Sequence, residues 1–317
     1  MSARNLLFAL LTVLALATVA CGGGGGPSAI LSCQEESAFS APDASAFPLE
    51  VKDDAGRTVR LEAPPKAIAS LSAGHTEILY ALRAGDQVAA VDKTADCPQA
   101  ATQLPQLDAF SPSVEAIAAL EPDLVVLFFN PSGLRESLER LGIQVLFVGF
   151  PSSVAEVFEH IDLLGRATGH ADEADRLVAE MRDGIDEITG KLADVKTGPS
   201  VYHELTTDYW TVGPGSFVHD LYTLLKARNI AEAAGQPSTQ LNPEAIIKAD
   251  PQVIILADVD AGESPERVAA HPGWGQIAAV QNNRVYTVDP DIISRPGPRL
   301  VEALETLARL LYPERFR

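Results

Sequence analysis

Two stretches decide the fold. One is Val114-Glu115-Ala116-Ile117 followed by Glu121-Pro122-Asp123-Leu124-Val125-Val126. The other is Pro243-Glu244-Ala245-Ile246 followed by Asp250-Pro251-Gln252-Val253-Ile254-Ile255. They stand a constant 129 residues apart, and four of thirteen aligned positions are identical. Each reads as a short helix, a proline-marked break and an apolar run of strand length, as a buried parallel strand requires. Two unrelated βα units can look alike by chance. A constant offset with Glu and Pro in register argues instead for two pseudo-symmetric lobes.

The same grammar extends outward. Residues 49–62 alternate around the turn signal Asp53-Asp54-Ala55-Gly56 and predict a β-hairpin. Strands are expected at 67–71, 87–91, 123–129 and 145–148, and helices at 76–83, 114–120 (capped by Ser113) and 134–141. A second series follows, with strands at 200–205, 252–256 and 284–288 and helices at 217–227, 244–249 and 300–311. Between the two series, 153–194 keeps helical spacing through Val178, Met181, Ile185 and Ile188, with an interruption near Thr168-Gly169-His170. Its eleven acidic and four basic residues over 152–194 read as a solvated helix face. A helix of more than 20 residues spans ~30 Å, enough to cross from one lobe to the other. The expected fold class is α/β: two Rossmann-like α/β lobes, 49–151 and 196–317, bridged by a single long helix at 152–195, with a ligand cleft between them.

Composition sets limits. The 317 residues carry 43 acidic against 24 basic side chains, a formal charge of −19, and 46% are hydrophobic. That supports about two domains of ~100–200 residues. The acidity excludes nucleic acid as a partner, since phosphate binding needs clustered Lys and Arg. It equally excludes adhesion to anionic lipid through a basic face. The N-terminus adds an address. An apolar run from Leu6 to Ala20 ends at Thr18-Val19-Ala20-Cys21 and resembles a bacterial lipobox, with residues 1–20 as signal peptide and Cys21 as the lipidated residue. An ordinary secretory signal is the alternative. Residues 21–48, opening with Gly22 to Gly26, read as a flexible tether. No later segment has ~18 consecutive apolar residues. The chain is therefore expected outside the cytoplasm, lipid-anchored to the membrane. Cys33 and Cys97 would there meet an oxidising environment and could pair, although Cys33 lies in the tether.

Leu71-Ser72-Ala73-Gly74-His75-Thr76-Glu77-Ile78-Leu79, Asp96-Cys97-Pro98, Val114–Val126, Asn242–Leu256 and Arg295-Pro296-Gly297-Pro298-Arg299 occur in an order that resembles the iron-chelate/cobalamin (vitamin B12-type) family of ABC-transporter substrate-binding proteins. The resemblance covers about residues 50–313. It implies two lobes with limited hinge motion, a monomer that captures a bulky metal chelate and passes it to a permease with its ATPase, and no catalysis or intrinsic cofactor. Cobalamin or another corrinoid comes first among ligands, then a ferric siderophore or haem. Glu115 and Glu244 match the family's permease-docking glutamates. A first-turn carboxylate favoured by the helix dipole explains the same positions without docking.

Ligand contacts are expected from loops after strand C-terminal ends. Trp210 matches a family aromatic and Asp291 a family acid. Tyr209 joins Trp210 in a polar segment, and Phe128 closes its strand as ligand wall or as core. Flat aromatic faces suit a corrin, porphyrin or catecholate chelate. Arg295 lies in a pocket loop. Cys97, which stands where the B12-type pattern has a tyrosine, is either a metal-ligating thiolate or a small buried thiol. His75 starts a helix and could ligate cobalt or iron. Two rivals remain. Zinc or manganese capture would need His75, His203 and His219 to converge. A secreted enzyme finds no support in Gly213-Pro214-Gly215-Ser216-Phe217, which lacks nucleophile-elbow spacing.

Overall fold

The computed structural model describes Cys33 and residues 38–316. The signal segment 1–20, Cys21 and the first part of the tether lie outside the described residues. The hairpin forms as β1 (Leu49–Lys52) and β2 (Thr58–Leu61), antiparallel, with Val51 opposite Val59 and both buried. Five parallel strands make the first sheet: β3 (Ile68–Leu71), β4 (Val88–Asp92), β5 (Gln106–Leu107), β6 (Leu124–Leu127) and β7 (Gln144–Phe147), in the order β5-β4-β3-β6-β7. Every residue of β3 and β6 is buried. The continuous apolar run of β6, and the burial of β3 including Ser70, are explained by layers on both faces. Helices α1 (Ala73–Ala81), α2 (Val114–Ala118) and α3 (Leu134–Arg140) complete this lobe.

The link differs from the expected single helix. It is a pair, α4 (Val154–Thr168) and α5 (Ala171–Gly190). Gly169 adopts φ 82° and closes α4 with a left-handed cap, a conformation that glycine takes without steric cost. The helices then pack so closely that a Cβ on Gly165 would lie 2.5 Å from the Ala174 Cβ. At its start α4 bonds to the second lobe, through Val154 N–H to Asp220 Oδ2 (2.9 Å). The twenty-residue α5 then spans ~30 Å. It buries Ala174, Leu177, Met181, Ile185 and Ile188 and leaves its acidic face to solvent.

The second sheet comprises β8 (Ser200–Glu204), β9 (Trp210–Val212), β10 (Arg228–Asn229), β11 (Ser238–Gln240), β12 (Val253–Leu256) and β13 (Val285–Thr287). Its order is β11-β9-β8-β12-β13, with β10 also on β8. β10, β12 and β13 run parallel to β8 or to one another, while β9 and β11 form an antiparallel margin that the sequence reading did not include. Helices α6 (Phe217–Leu224), α7 (Pro243–Ala249), α8 (Pro265–Ala270), α9 (Ala278–Gln281), α10 (Pro290–Ser294) and α11 (Leu300–Leu311) surround it. α11 lies against α5.

The 129-residue offset holds in three dimensions. It maps α2 onto α7 and β6 onto β12, and Ile117 and Ile246 are both fully buried. Glu121 and Asp250, the residues before the two prolines, both take positive φ (49° and 44°). Asp123 accepts bonds from the Lys66 and Ala67 N–H groups that lead into β3, and its counterpart Gln252 accepts from Ser200 N–H at the start of β8.

The tether ends earlier than its expected boundary at residue 48. Ser40 N–H bonds to Arg83 O (3.2 Å), Asp43 N–H to Gly169 O (2.7 Å), and Phe39 packs on Tyr80. Cys33 is disulfide-bonded to Cys97. Among the described residues no helix is long and apolar enough to cross a membrane.

Candidate functional site

The lobes meet through an ion cluster. Glu77 of α1 is fully buried, and its carboxylate accepts bonds from Arg299 Nε (2.9 Å), Arg299 Nη2 (2.6 Å) and Arg295 Nη1 (3.2 Å) across the lobe boundary. Arg295 also holds Asp96 of the first lobe and Asp291 of the second (Nη2 to Oδ1, 2.7 Å), and donates to Thr94 O (2.9 Å). Burial by itself would raise the Asp96 pKa, but the Arg295 hydrogen bond and charge prevail and hold it low. Asp291 is raised, by burial first, then by the nearby Asp96 and Asp289 carboxylates against the pull of Arg295. The backbones approach closely here too: a Cβ on Gly74 would lie 3.0 Å from Pro296 O, so a larger residue would push the lobes apart by a few tenths of an ångström. A second bridge is the ring contact of Phe150, after β7, with Phe217 of α6 (6.0 Å between centroids).

Exposed aromatics stand at strand ends in both lobes. Phe110, after β5, is 62% exposed and packs on Phe128 and Phe129, which follow β6, at centroid distances of 5.9 and 5.7 Å. Phe150 is 60% exposed and Trp210 40%. Trp210 is set by a tight reversal in which Leu205 N–H bonds to its carbonyl (2.8 Å). Tyr209 takes φ 69° in that reversal and lays its ring on Trp274 (5.8 Å) and His271 (6.1 Å).

The expected site residues thus divide. Phe128, Trp210 and Asp291 lie at strand ends with open surface, and Tyr209 is half-buried behind Trp210. Arg295 is committed to four protein partners and only 11% exposed, so its guanidinium braces the lobes. Cys97 is a disulfide sulfur and has no thiol to offer, because Cys33 folds back to it. His75 is a core residue. It is 2% exposed, with its pKa depressed to about 3, by burial first and then by the charge of His160. Glu115 and Glu244 are exposed in the first turns of α2 and α7, each behind a polar cap: Ser113 Oγ accepts from Ala116 N–H, and Asn242 Oδ1 from Ala245 N–H.

Glu77, Arg299, Asp96, Phe110 and Phe129 were not singled out from sequence. One signal was present for Glu77, a lone acid ahead of Ile78-Leu79 at the start of an apolar helix. The histidines of the metal-ion reading are tied down separately: His203 Nδ1 to Tyr222 OH (2.7 Å) and His219 Nδ1 to Asn229 (3.1 Å). Among the described residues no group of three or more His, Cys, Asp or Glu side chains is disposed to hold a metal ion.

Two α/β lobes with a helix pair between them, joined by the Glu77–Arg295–Arg299 cluster and carrying exposed aromatics at strand ends, define a two-lobed binding protein. Comparison with known proteins agrees. Residues 68–292 match the periplasmic binding protein family, and the chain belongs to it. It is 32% identical over 313 residues to the uncharacterized ABC transporter substrate-binding lipoprotein YvrC of Bacillus subtilis, covering 96% of both chains. It is 28% identical over 319 residues to a cobalamin-binding protein of Halobacterium salinarum, covering 96% of this chain and 84% of the relative. A possible iron-binding periplasmic protein of Staphylococcus epidermidis superposes with TM-score 0.69 at 29% identity, over 78% of this chain and 99% of that one.

Proposed function

We propose that this chain is the extracytoplasmic lipoprotein of an ABC importer, lipidated at Cys21, and that it captures a corrinoid between its lobes in preference to haem or an anionic ferric siderophore. The observation that carries the preference is the pairing of charge at the strand ends. Lys93 is bound to Asp108 (2.7 Å), and Arg295 and Arg299 are bound to Glu77, while Asp96 and Asp291 keep open surface. Haem propionates or a catecholate chelate would have to displace one of these pairs to reach a cation. A corrinoid rim carries neutral amides, whose N–H groups suit the Asp96 and Asp291 carboxylates. Its flat macrocycle suits Phe110, Phe128, Phe150 and Trp210. The relatives named for cobalamin and for iron support the chelate class.

Glu115 and Glu244 serve as the docking pair for a two-fold permease. Their equivalence under the 129-residue repeat supports that role, and their exposure leaves both carboxylates accessible. The test is titration of purified protein with cobinamide, cobalamin, haem and ferric siderophores, read by absorbance and tryptophan fluorescence. Corrinoids should quench the Trp210 emission, and Trp210→Phe should remove that component. Preference for haem or an anionic siderophore would overturn the charge argument. Stoichiometric zinc uptake without chelate binding would overturn the whole reading.

A further inference from the structure

A group of buried carboxylates in the second lobe has no protein counter-ion in contact. Glu204 ends β8 and is fully buried, and Asp258, two residues past β12, is 5% exposed. Both oxygens of both carboxylates lack a hydrogen-bond partner. Two neutral oxygens share the anomaly. Thr211 lies directly opposite Glu204 in the β8–β9 pair, so the two side chains leave the sheet on one face. Tyr202 precedes Glu204 by two residues on that same face. Both are fully buried, and neither the Thr211 Oγ1 nor the Tyr202 OH has a partner.

The surroundings offer little compensation. Glu263, 4% exposed, adds a third negative charge, and Arg267 of α8, 3.7 Å from it and largely exposed, is the cation at the edge. Tyr209, His271 and Trp274 close the outer side with an aromatic wall. Three carboxylates against one guanidinium leave two negative charges.

Uncompensated burial of charge costs several kcal/mol per ion, so such a group must be neutralised. A proton shared between Glu204 and Asp258, with the Tyr202 hydroxyl turned to Glu204, is the alternative, and it leaves the Thr211 hydroxyl without a partner. We propose that Glu204, Asp258, Tyr202 and Thr211 form a site for one hard divalent cation of the Ca²⁺ class. The donors are all oxygen, as such cations prefer, and the residual charge matches. With no histidine or thiolate, the set does not suit zinc. Occupancy would fix the end of β8 and hence the reversal that carries Tyr209 and Trp210.

The test uses the whole purified protein after chelator treatment. Tb³⁺, a Ca²⁺ stand-in, should show luminescence sensitised through Tyr202, Tyr209 and Trp274. Ca²⁺ should compete it away more effectively than Mg²⁺ or Zn²⁺. A hundredfold excess of Ca²⁺ over its Kd should raise Tm by ~5 °C or more. Glu204→Gln and Asp258→Asn keep side-chain shape and remove charge, so both should fold, keep their cation-free Tm or gain on it, and lose both responses. Sensitised emission that persists in both variants would place the ion on the acidic surface and overturn the site. Wild-type protein without Tb³⁺ emission or a Ca²⁺-dependent Tm would overturn it as well, in favour of a shared proton. Corrinoid affinity at a fixed Ca²⁺ concentration is read separately, so the ligand reading can fail without this one.

Discussion

Glu77→Gln probes what holds the lobes together. In the native protein its carboxylate accepts three bonds at 2.6–3.2 Å from Arg295 and Arg299, whose side chains are 11% and 8% exposed. Glutamine keeps the shape but turns an NH₂ toward a guanidinium and leaves Arg299 without its carboxylate. Removing one member of a buried pair costs ~3–5 kcal/mol, because the remaining charge stays buried and uncompensated. At ~2–4 °C per kcal/mol for a chain of this size, the melting temperature should drop by about 10 °C. Urea unfolding gives the free energy, and small-angle scattering gives the lobe arrangement, which should loosen because the cluster spans both lobes. Adding Arg299→Gln should restore part of the loss, since the orphaned charge is then gone. A loss below ~1 kcal/mol with unchanged scattering would refute the reasoning. That magnitude belongs to solvated surface pairs and would mean the lobes are not braced there.

Three further outcomes are expected. Cys33→Ser with Cys97→Ser should cost about 4 kcal/mol in urea, the chain-entropy value for a 64-residue separation; an unchanged midpoint would show that the bond constrains nothing. Acid should destabilise the cation-free protein. His75 and His203, depressed to about 3 mainly by burial, contribute stability above pH 6.5 that is lost as pH falls toward 3, while Glu204, raised to about 8, gains stability as pH falls from 8 to 4.5. Between pH 6 and 5 the two histidines should make stability fall with pH, and Glu204→Gln, which removes an opposing gain, should steepen the fall; the urea midpoint checks both, and a flat profile in the Glu204→Gln variant would contradict buried neutral histidines. Glu115→Ala with Glu244→Ala should impair uptake in cells while leaving ligand affinity intact; weakened binding would contradict the docking role.

The lobes were legible because their information is local. Caps at Ser72, Ser113, Ser153 and Asn242 stand one residue ahead of apolar periodicity, and the core strands at 124–127 and 253–256 are unbroken apolar runs. The helix link was half legible. Thr168-Gly169-His170 marked an interruption, but the sharp reversal depends on the packing of Gly165 against Ala174, which periodicity does not report. The antiparallel margin at Ser238–Gln240 is short and polar, as edge strands are, and carries almost no strand signal. The site suffered most, because its contacts are remote. Glu77 meets Arg295 and Arg299 across 218 and 222 residues, so Arg295, expected at the ligand, is bound to an acid that looked like an ordinary helix residue. His75 misled for the complementary reason: a histidine at a strand end reads the same whether its ring faces the cleft or the core.

The Cys33–Cys97 bond also sets a distance. It joins the N-terminal arm to the loop that presents Asp96 to the interlobe cluster. Under the proposed acylation of Cys21, twelve residues separate the anchor from this staple, a reach of at most about 43 Å. Without the bond, the next ring contact along the described chain is Phe39 on Tyr80, eighteen residues from the anchor. The hemisphere the carrier can sweep would then grow about threefold, and its local concentration at a fixed permease would fall in proportion. One covalent bond far from the ligand would thereby govern how often a loaded carrier meets its transporter.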